Sequence, residues 1–177
     1  MNRSKKLIRN LAVILVLLMI FYYFGGFYFS KQQCVVETLR GLYGTETRCI
    51  MELQRGNYIA TLMADENDKS FSIVGTKQIG PLYRTASSSV GIQIDDREVL
   101  KISGMSASDY GSVVFLYRVD KSIERVEVEL ENGETYTITE WQEDYAGYFR
   151  EKNEWEYGTY KAYNAQGELV GENYVFY

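Results

Sequence analysis

The chain contains no histidine among its 177 residues. Ser-His-Asp and Cys-His sites both need an imidazole to take the proton of the nucleophile, so neither arrangement is possible. Histidine is also the side chain that most often acts as a general base near neutral pH. We therefore expect no enzymatic activity. A carboxylate pair such as Asp95 and Asp96 acting as a glycosidase is the weaker alternative, because neighbouring carboxylates mostly lie in solvated turns.

Metal ligands and cofactor motifs are also scarce. The only thiols are Cys34 and Cys49, whereas a structural zinc site usually needs four Cys or His ligands. The acidic loop that starts at Asp65 has Ser70 where a calcium-binding loop needs glycine. No glycine-rich turn joins a strand to a helix, which is what nucleotide binding would need. We expect neither a metal nor a cofactor.

Charge is absent from residues 11–29, which read LAVILVLLMIFYYFGGFYF. A helix rises about 1.5 Å per residue and a hydrocarbon core is about 30 Å thick, so this run is just long enough to span a membrane. Residues 1–10 form a basic leader and only Lys31 follows closely, which predicts a cytoplasmic N-terminus and a domain outside the cell membrane. The alternatives are a cleaved signal peptide, for which no A-x-A site is present, and a buried helix, which would have to enclose seven aromatic rings.

Cys34 and Cys49 would both follow this anchor. In an oxidising compartment an even number of nearby cysteines predicts a disulfide. The alternative is that both thiols are reduced and buried.

Residues 30–95 are expected to form a short helix packed on a β-meander. Ser30 and Gln33 match a capping box, and apolar residues follow at helical spacing up to Gly44. From Arg48 the period changes to two, and the Gly56-Asn57 pair is a two-residue hairpin signal.

Residues 96–177 are expected to form an antiparallel sandwich or an open barrel. SVVFLYRV, from Ser112 onward, is typical of a strand buried on both faces, and ERVEVEL alternates apolar and acidic residues. Hairpins are predicted at Asn132-Gly133, at 151–154 and at 164–167. The sequence therefore predicts an α+β, mainly antiparallel β fold.

The net charge of the chain is −5. Four of the nineteen basic residues and none of the twenty-four acidic residues lie in the leader, so the rest carries a net charge of about −9. Such a charge repels nucleic acid and suits either a solvated surface or a basic partner.

Aromatic residues are dense in the last third of the chain. Rings interleaved with amides and carboxylates are typical of a glycan- or peptide-binding face, and the hypothetical face consists of Trp141, Trp155, Tyr157 and Tyr160. The alternative is that these residues are cross-strand pairs on a half-buried sheet.

The chain also resembles a group of exported proteins. The order of basic leader, apolar run, short helix and meander, followed by IERVEVELENGETYTI and AYNAQGELVG, is similar to that of uncharacterised membrane-anchored β-rich proteins of Gram-positive bacteria. The resemblance covers most of the chain and carries over no functional residue. We expect a membrane-anchored extracytoplasmic protein-interaction or regulatory module. A cell-wall glycan-binding module is the alternative, and an exported enzyme is the third hypothesis.

Overall fold

The computed structural model describes residues 3–40, 47–65, 69–151 and 157–176. The chain begins with helix α1 (Arg3–Gly25), strand β1 (Phe27–Tyr28) and helix α2 (Lys31–Arg40). The remaining strands are β2 (Thr47–Arg55), β3 (Tyr58–Asp65), β4 (Ser70–Ile79), β5 (Leu82–Gln93), β6 (Leu100–Ser106), β7 (Ser112–Arg118), β8 (Ile123–Leu130), β9 (Thr135–Ile138), β10 (Tyr145–Arg150), β11 (Tyr157–Asn164) and β12 (Leu169–Phe176). A turn of 3-10 helix, Ser108–Tyr110, precedes β7. The predicted β-rich α+β fold is confirmed.

The described strands form three antiparallel sheets. The first sheet has the order β1-β5-β4-β3-β2, the middle sheet β10-β7-β6 and the third sheet β12-β11-β8-β9. The predicted turn at Gly56-Asn57 joins β2 to β3, and the turns at Asn132-Gly133 and 164–167 join the strands of the third sheet. In contrast, β10 and β11 lie in different sheets and do not form the predicted hairpin. Residues 152–154 of that turn lie outside the described part of the chain.

The middle sheet is buried on both faces. Successive side chains of a strand point to opposite sides, so Val113, Phe115 and Tyr117 of β7 pack against the first sheet. Val114 and Leu116 point the other way, into the core shared with the third sheet. All five are buried, as the run SVVFLYRV predicts. The molecule therefore stacks three sheets with two cores between them.

Helix α2 covers the outer face of the first sheet. Its N-terminus is capped as predicted, because the backbone N–H of Gln33 donates to Ser30 Oγ at 3.1 Å. Val35 and Leu39 are buried against side chains of β3 and β4.

The predicted boundary between residues 30–95 and 96–177 falls in the connection from β5 to β6. The first of these strands belongs to the first sheet and the second to the middle sheet. The core between the two sheets takes buried residues from both segments. The hydroxyl of Tyr58 also joins them, since it donates to the carbonyl of Ser106 at 3.3 Å.

The predicted membrane anchor at residues 11–29 is a wrong prediction. Among the described residues, no helix is both long enough and apolar enough to cross a membrane. Helix α1 ends at Gly25, the chain turns at Gly26 with a positive φ of 64°, and β1 pairs with β5. Arg9 carries a charge, so the uncharged part of α1 extends only from the residue after Arg9 to Gly25. At about 1.5 Å per residue this part is about 24 Å long, which is shorter than a hydrocarbon core of about 30 Å. The single-pass topology, with the domain outside the cell membrane, is therefore not supported.

The predicted disulfide between Cys34 and Cys49 is also wrong, because both cysteines are free. Cys34 Sγ lies 3.4 Å from Thr85 Oγ1 of β5, whereas Cys49 belongs to β2. These strands are three positions apart in the sheet, about 14 Å at about 4.8 Å per strand. A β-bulge at Ile50 also breaks the alternation of β2, so Ile50 is buried and Cys49 is exposed.

Candidate functional site

The structure does not bring the predicted aromatic residues together on one face. Tyr157 and Tyr160 belong to β11 but are separated by an odd number of positions, so they lie on opposite faces of the third sheet. Tyr157 is 58% exposed, whereas Tyr160 is 5% exposed and points into the core. Trp141 is half-buried, and its Nε1–H donates to the carbonyl of Glu124 at 3.1 Å. Trp155 lies outside the described residues.

Tyr160 nevertheless reaches a cleft between the middle and third sheets. This β12 cleft has a volume of about 360 Å³ and lies between the segment that leads into β6 and the outer edge of β12. Its volume falls within the range of about 300 to 1,000 Å³ that is common for ligand sites. Its lining residues are Arg97, Glu98, Val99, Leu100, Lys101, Ile102, Tyr160, Gly171, Glu172, Asn173 and Tyr174.

The register of the third sheet determines which backbone groups face the β12 cleft. Backbone N–H and C=O groups of successive residues point to opposite sides of a strand. The carbonyl of Tyr157 accepts a hydrogen bond at 3.0 Å from the N–H of Glu131, in the turn after β8, so the backbone groups of Tyr157 point toward β8. Tyr160 is three residues later, so its backbone groups point the opposite way, toward β12. Tyr160 pairs with Asn173. The neighbours of Asn173, Glu172 and Tyr174, therefore point their N–H and C=O groups away from β11.

This outer edge of β12 is open. Among the described strands, β12 pairs only with β11. The N–H of Tyr174 donates to the side-chain Oδ1 of Asn173 at 2.8 Å. The N–H and C=O of Glu172 and the C=O of Tyr174 have no hydrogen-bond partner within the described ranges. An edge strand with such groups is able to pair with a further strand.

The β12 cleft contains two basic and two acidic side chains, and two of them, Glu98 and Lys101, pair with each other. Each carboxylate oxygen of Glu98 lies 3.2 Å from Nζ of Lys101, although Oε2 is enclosed and lacks a well-aligned donor in the described structure. Burial raises the pKa of the Tyr160 hydroxyl, and the charge of Glu98 raises it further. At the rim, hydrogen bonds from Arg97 lower the pKa of Asp95 to about 2. The cleft therefore has no strong excess of either charge.

A second depression, which we call the outer groove, crosses the solvent-facing side of the third sheet. It has a volume of about 300 Å³. Alternating residues of β8, β9 and β11 supply the side chains that face outward there: Glu127, Glu129, Thr135, Thr137, Thr159, Lys161 and Tyr163. The inward-facing residues of β8, Val126, Val128 and Leu130, are buried as the ERVEVEL pattern predicts.

A third polar cluster holds the turn after β7 in place. Asp144 accepts from Arg118 Nε at 3.2 Å and lies 2.7 Å from Lys121 Nζ. Burial opposes ionisation of Asp144, but hydrogen bonds from Lys121 and Arg118 outweigh it, so the pKa of this carboxyl is lowered. The guanidinium of Arg118 also stacks over the Trp141 ring at 5.1 Å. Every polar group in this cluster has a partner, which indicates a structural role.

Metal ligands are not clustered in the described part of the chain, where no group of three or more Cys, Asp or Glu side chains could hold an ion. Tyr160 is the one residue of the β12 cleft that the sequence analysis singled out. Neither Glu98 nor Glu172 belongs to a recognisable sequence motif. No local pattern indicates that β12 is an edge strand. The sequence contains one usable signal for the outer groove: the alternation in ERVEVEL indicates that Glu127 and Glu129 face solvent.

No protein-family model, curated protein or solved structure matches the chain. The resemblance to exported proteins of Gram-positive bacteria stays a prediction.

Proposed function

We propose that the protein is a protein-interaction module that binds an extended segment of a partner as an additional strand on β12. The observation that carries this proposal is the open backbone edge of β12 at Glu172 and Tyr174, two exposed residues that also line the β12 cleft. Peptides that add to a sheet edge obtain their affinity from main-chain hydrogen bonds and their specificity from neighbouring pockets. The β12 edge offers both.

The surroundings of this edge suit recognition through the backbone. Glu98 and Lys101 neutralise each other, so the cleft does not demand a charged ligand. The side chain of Tyr174 is 81% exposed beside it and offers a rigid ring at low entropic cost. The Asn173 side chain bonds the Tyr174 N–H and would have to move aside when a segment binds along the whole edge.

The test uses the full chain and a library of random linear peptides displayed on phage. Selected peptides are synthesised, and their affinity is measured by fluorescence anisotropy. Glu172→Pro removes the outward N–H without breaking a hydrogen bond to β11, because proline is tolerated on the free side of an edge strand. We expect binding to weaken at least about tenfold, since a main-chain hydrogen bond is lost and the ring obstructs pairing.

Two control variants separate the backbone effect from other effects. Glu172→Gln removes the charge but keeps the N–H, and Thr137→Pro places proline on the free side of β9, at the opposite edge of the same sheet. Both should leave the affinity within about twofold of the parent protein. Equal losses in Glu172→Pro and Thr137→Pro would overturn the proposal. So would a dimer that Glu172→Pro abolishes, because the occupant of the edge would then be a second copy of the chain.

A further inference from the structure

The outer groove contains polar groups that the protein itself does not bond. Glu129 of β8 pairs in register with Thr135 on one side and with Thr159 on the other. These three side chains form a row across three strands, a carboxylate between two hydroxyls. No group in the described residues bonds this carboxylate or either hydroxyl. Four acceptor sites on the carboxylate and one donor on each hydroxyl are therefore available to a ligand.

The next row of the groove supplies the opposite kind of group. Lys161 lies between Glu127 and Glu172 in register, and its ammonium is 4.0 Å from the carboxylate of Glu172. Glu127 is 3.4 Å from the guanidinium of Arg125. The charges of this row thus largely compensate one another, while Lys161 keeps donors that face the groove.

An aromatic ring lies along the same strand. Tyr163 follows Lys161 by two residues on the outward face of β11 and lines the groove. The guanidinium of Arg125 lies 4.5 Å from its ring centroid, which restrains the ring. A restrained ring beside mixed donors and acceptors offers contact area at a low entropic cost.

We propose that the outer groove is a carbohydrate-binding site. A polyhydroxylated ligand presents donors and acceptors at closely spaced positions, as the carboxylate, hydroxyl and ammonium groups of the groove require. A strongly charged ligand would be attracted by some side chains of the groove and repelled by others, because the groove contains both carboxylates and an ammonium group. The proposal is independent of peptide binding, because the groove uses outward side chains of β8, β9 and β11, whereas the peptide uses the backbone of β12. The residues also differ from the aromatic face that the sequence predicts.

The experiment probes the full chain on an array of cello-, xylo-, malto- and chito-oligosaccharides that are two to six sugars long. A series that binds is then titrated by isothermal calorimetry. Glu129→Gln keeps the shape but removes the charged acceptor, and we expect at least about tenfold weaker binding. Thr159→Val removes a hydroxyl with little change in volume and should also weaken binding.

The matched control is Glu131→Gln, which makes the same chemical change at an exposed position outside the groove. Its sugar affinity should equal that of the parent protein, and all variants should keep the parent melting temperature. Binding that falls with Glu129→Gln and persists with Glu131→Gln supports the proposal. Binding of no series, or equal affinities of the two variants, overturns it. Glu129 does not line the β12 cleft, so Glu129→Gln should leave the affinity for the selected peptides unchanged, and the failure of one proposal is distinguishable from the failure of the other.

Discussion

Replacing Gly75 by alanine tests how tightly the first sheet packs against the middle sheet. A Cβ built at Gly75 would overlap the hydroxyl of Tyr58 and lie 2.6 Å from Ser87 Oγ. Tyr58 is fully buried, and its hydroxyl is 2.7 Å from Ser87 Oγ and 3.3 Å from the carbonyl of Ser106. The added methyl group therefore has to displace a ring that is held on several sides.

Two costs contribute to the expected destabilisation. Overpacking a well-packed core by one methyl group typically costs about 1 to 3 kcal/mol. Loss of one or two hydrogen bonds by the Tyr58 hydroxyl adds about 1 to 2 kcal/mol. We therefore expect Gly75→Ala to lower the free energy of unfolding by about 2 to 5 kcal/mol, which corresponds to a melting temperature lower by roughly 5 to 15 °C.

Urea unfolding of four proteins measures this effect: the parent, Gly75→Ala, Tyr58→Phe and the double variant. Because Tyr58→Phe removes the atom that the new methyl group meets first, the two substitutions together should cost less than the sum of their separate costs. A loss below about 1 kcal/mol for Gly75→Ala, or strict additivity in the double variant, would refute the packing described for this position.

Three further predictions follow from buried or charged groups. Leu116→Ala should lower the free energy of unfolding by about 2 to 5 kcal/mol in urea, because Leu116 is fully buried between the middle and third sheets; a smaller loss would contradict that layering. The lowered pKa of Asp144 stabilises the fold above the ordinary value of 3.8, and this contribution is lost as the pH falls through the folded-state pKa. Lys121→Met should therefore reduce stability at pH 7 more than at pH 2, and equal losses at both would contradict the pairing. Ellman's reagent should modify the exposed Cys49 in the native protein and the buried Cys34 only after unfolding; a failure of both to react in urea would indicate the disulfide that the structure excludes.

Local signals predicted the elements that depend on neighbouring residues. The cap at Ser30, the turn at Gly56 and the alternation of ERVEVEL each involve residues a few positions apart, and all are observed. The continuous apolar run of β7 correctly indicates burial on both faces, because a strand without a polar face has to be covered twice.

The predictions of an anchor and of a disulfide were wrong, because each depends on contacts between residues far apart in the sequence. The count of uncharged residues in 11–29 could not show that Phe27 and Tyr28 leave the helix and pair with β5, more than fifty residues later. The disulfide required β2 to lie near β5, and the observed order separates them. The β12 edge is open because β11 is its only partner among the described strands, and β8 and β9 continue the third sheet on the far side of β11. No segment of the sequence contains that information.

Amide hydrogen exchange, measured by NMR with and without a selected peptide, directly tests whether a peptide strand adds to β12. We expect the Glu172 N–H to exchange rapidly in the free protein and at least about a hundredfold more slowly when the peptide pairs with β12. The Asn173 N–H, already bonded to β11, should be slow in both states, and the Thr137 N–H on the opposite edge should stay fast. A Glu172 N–H that is protected in the free protein, or that stays fast with the peptide bound, would contradict strand addition at β12.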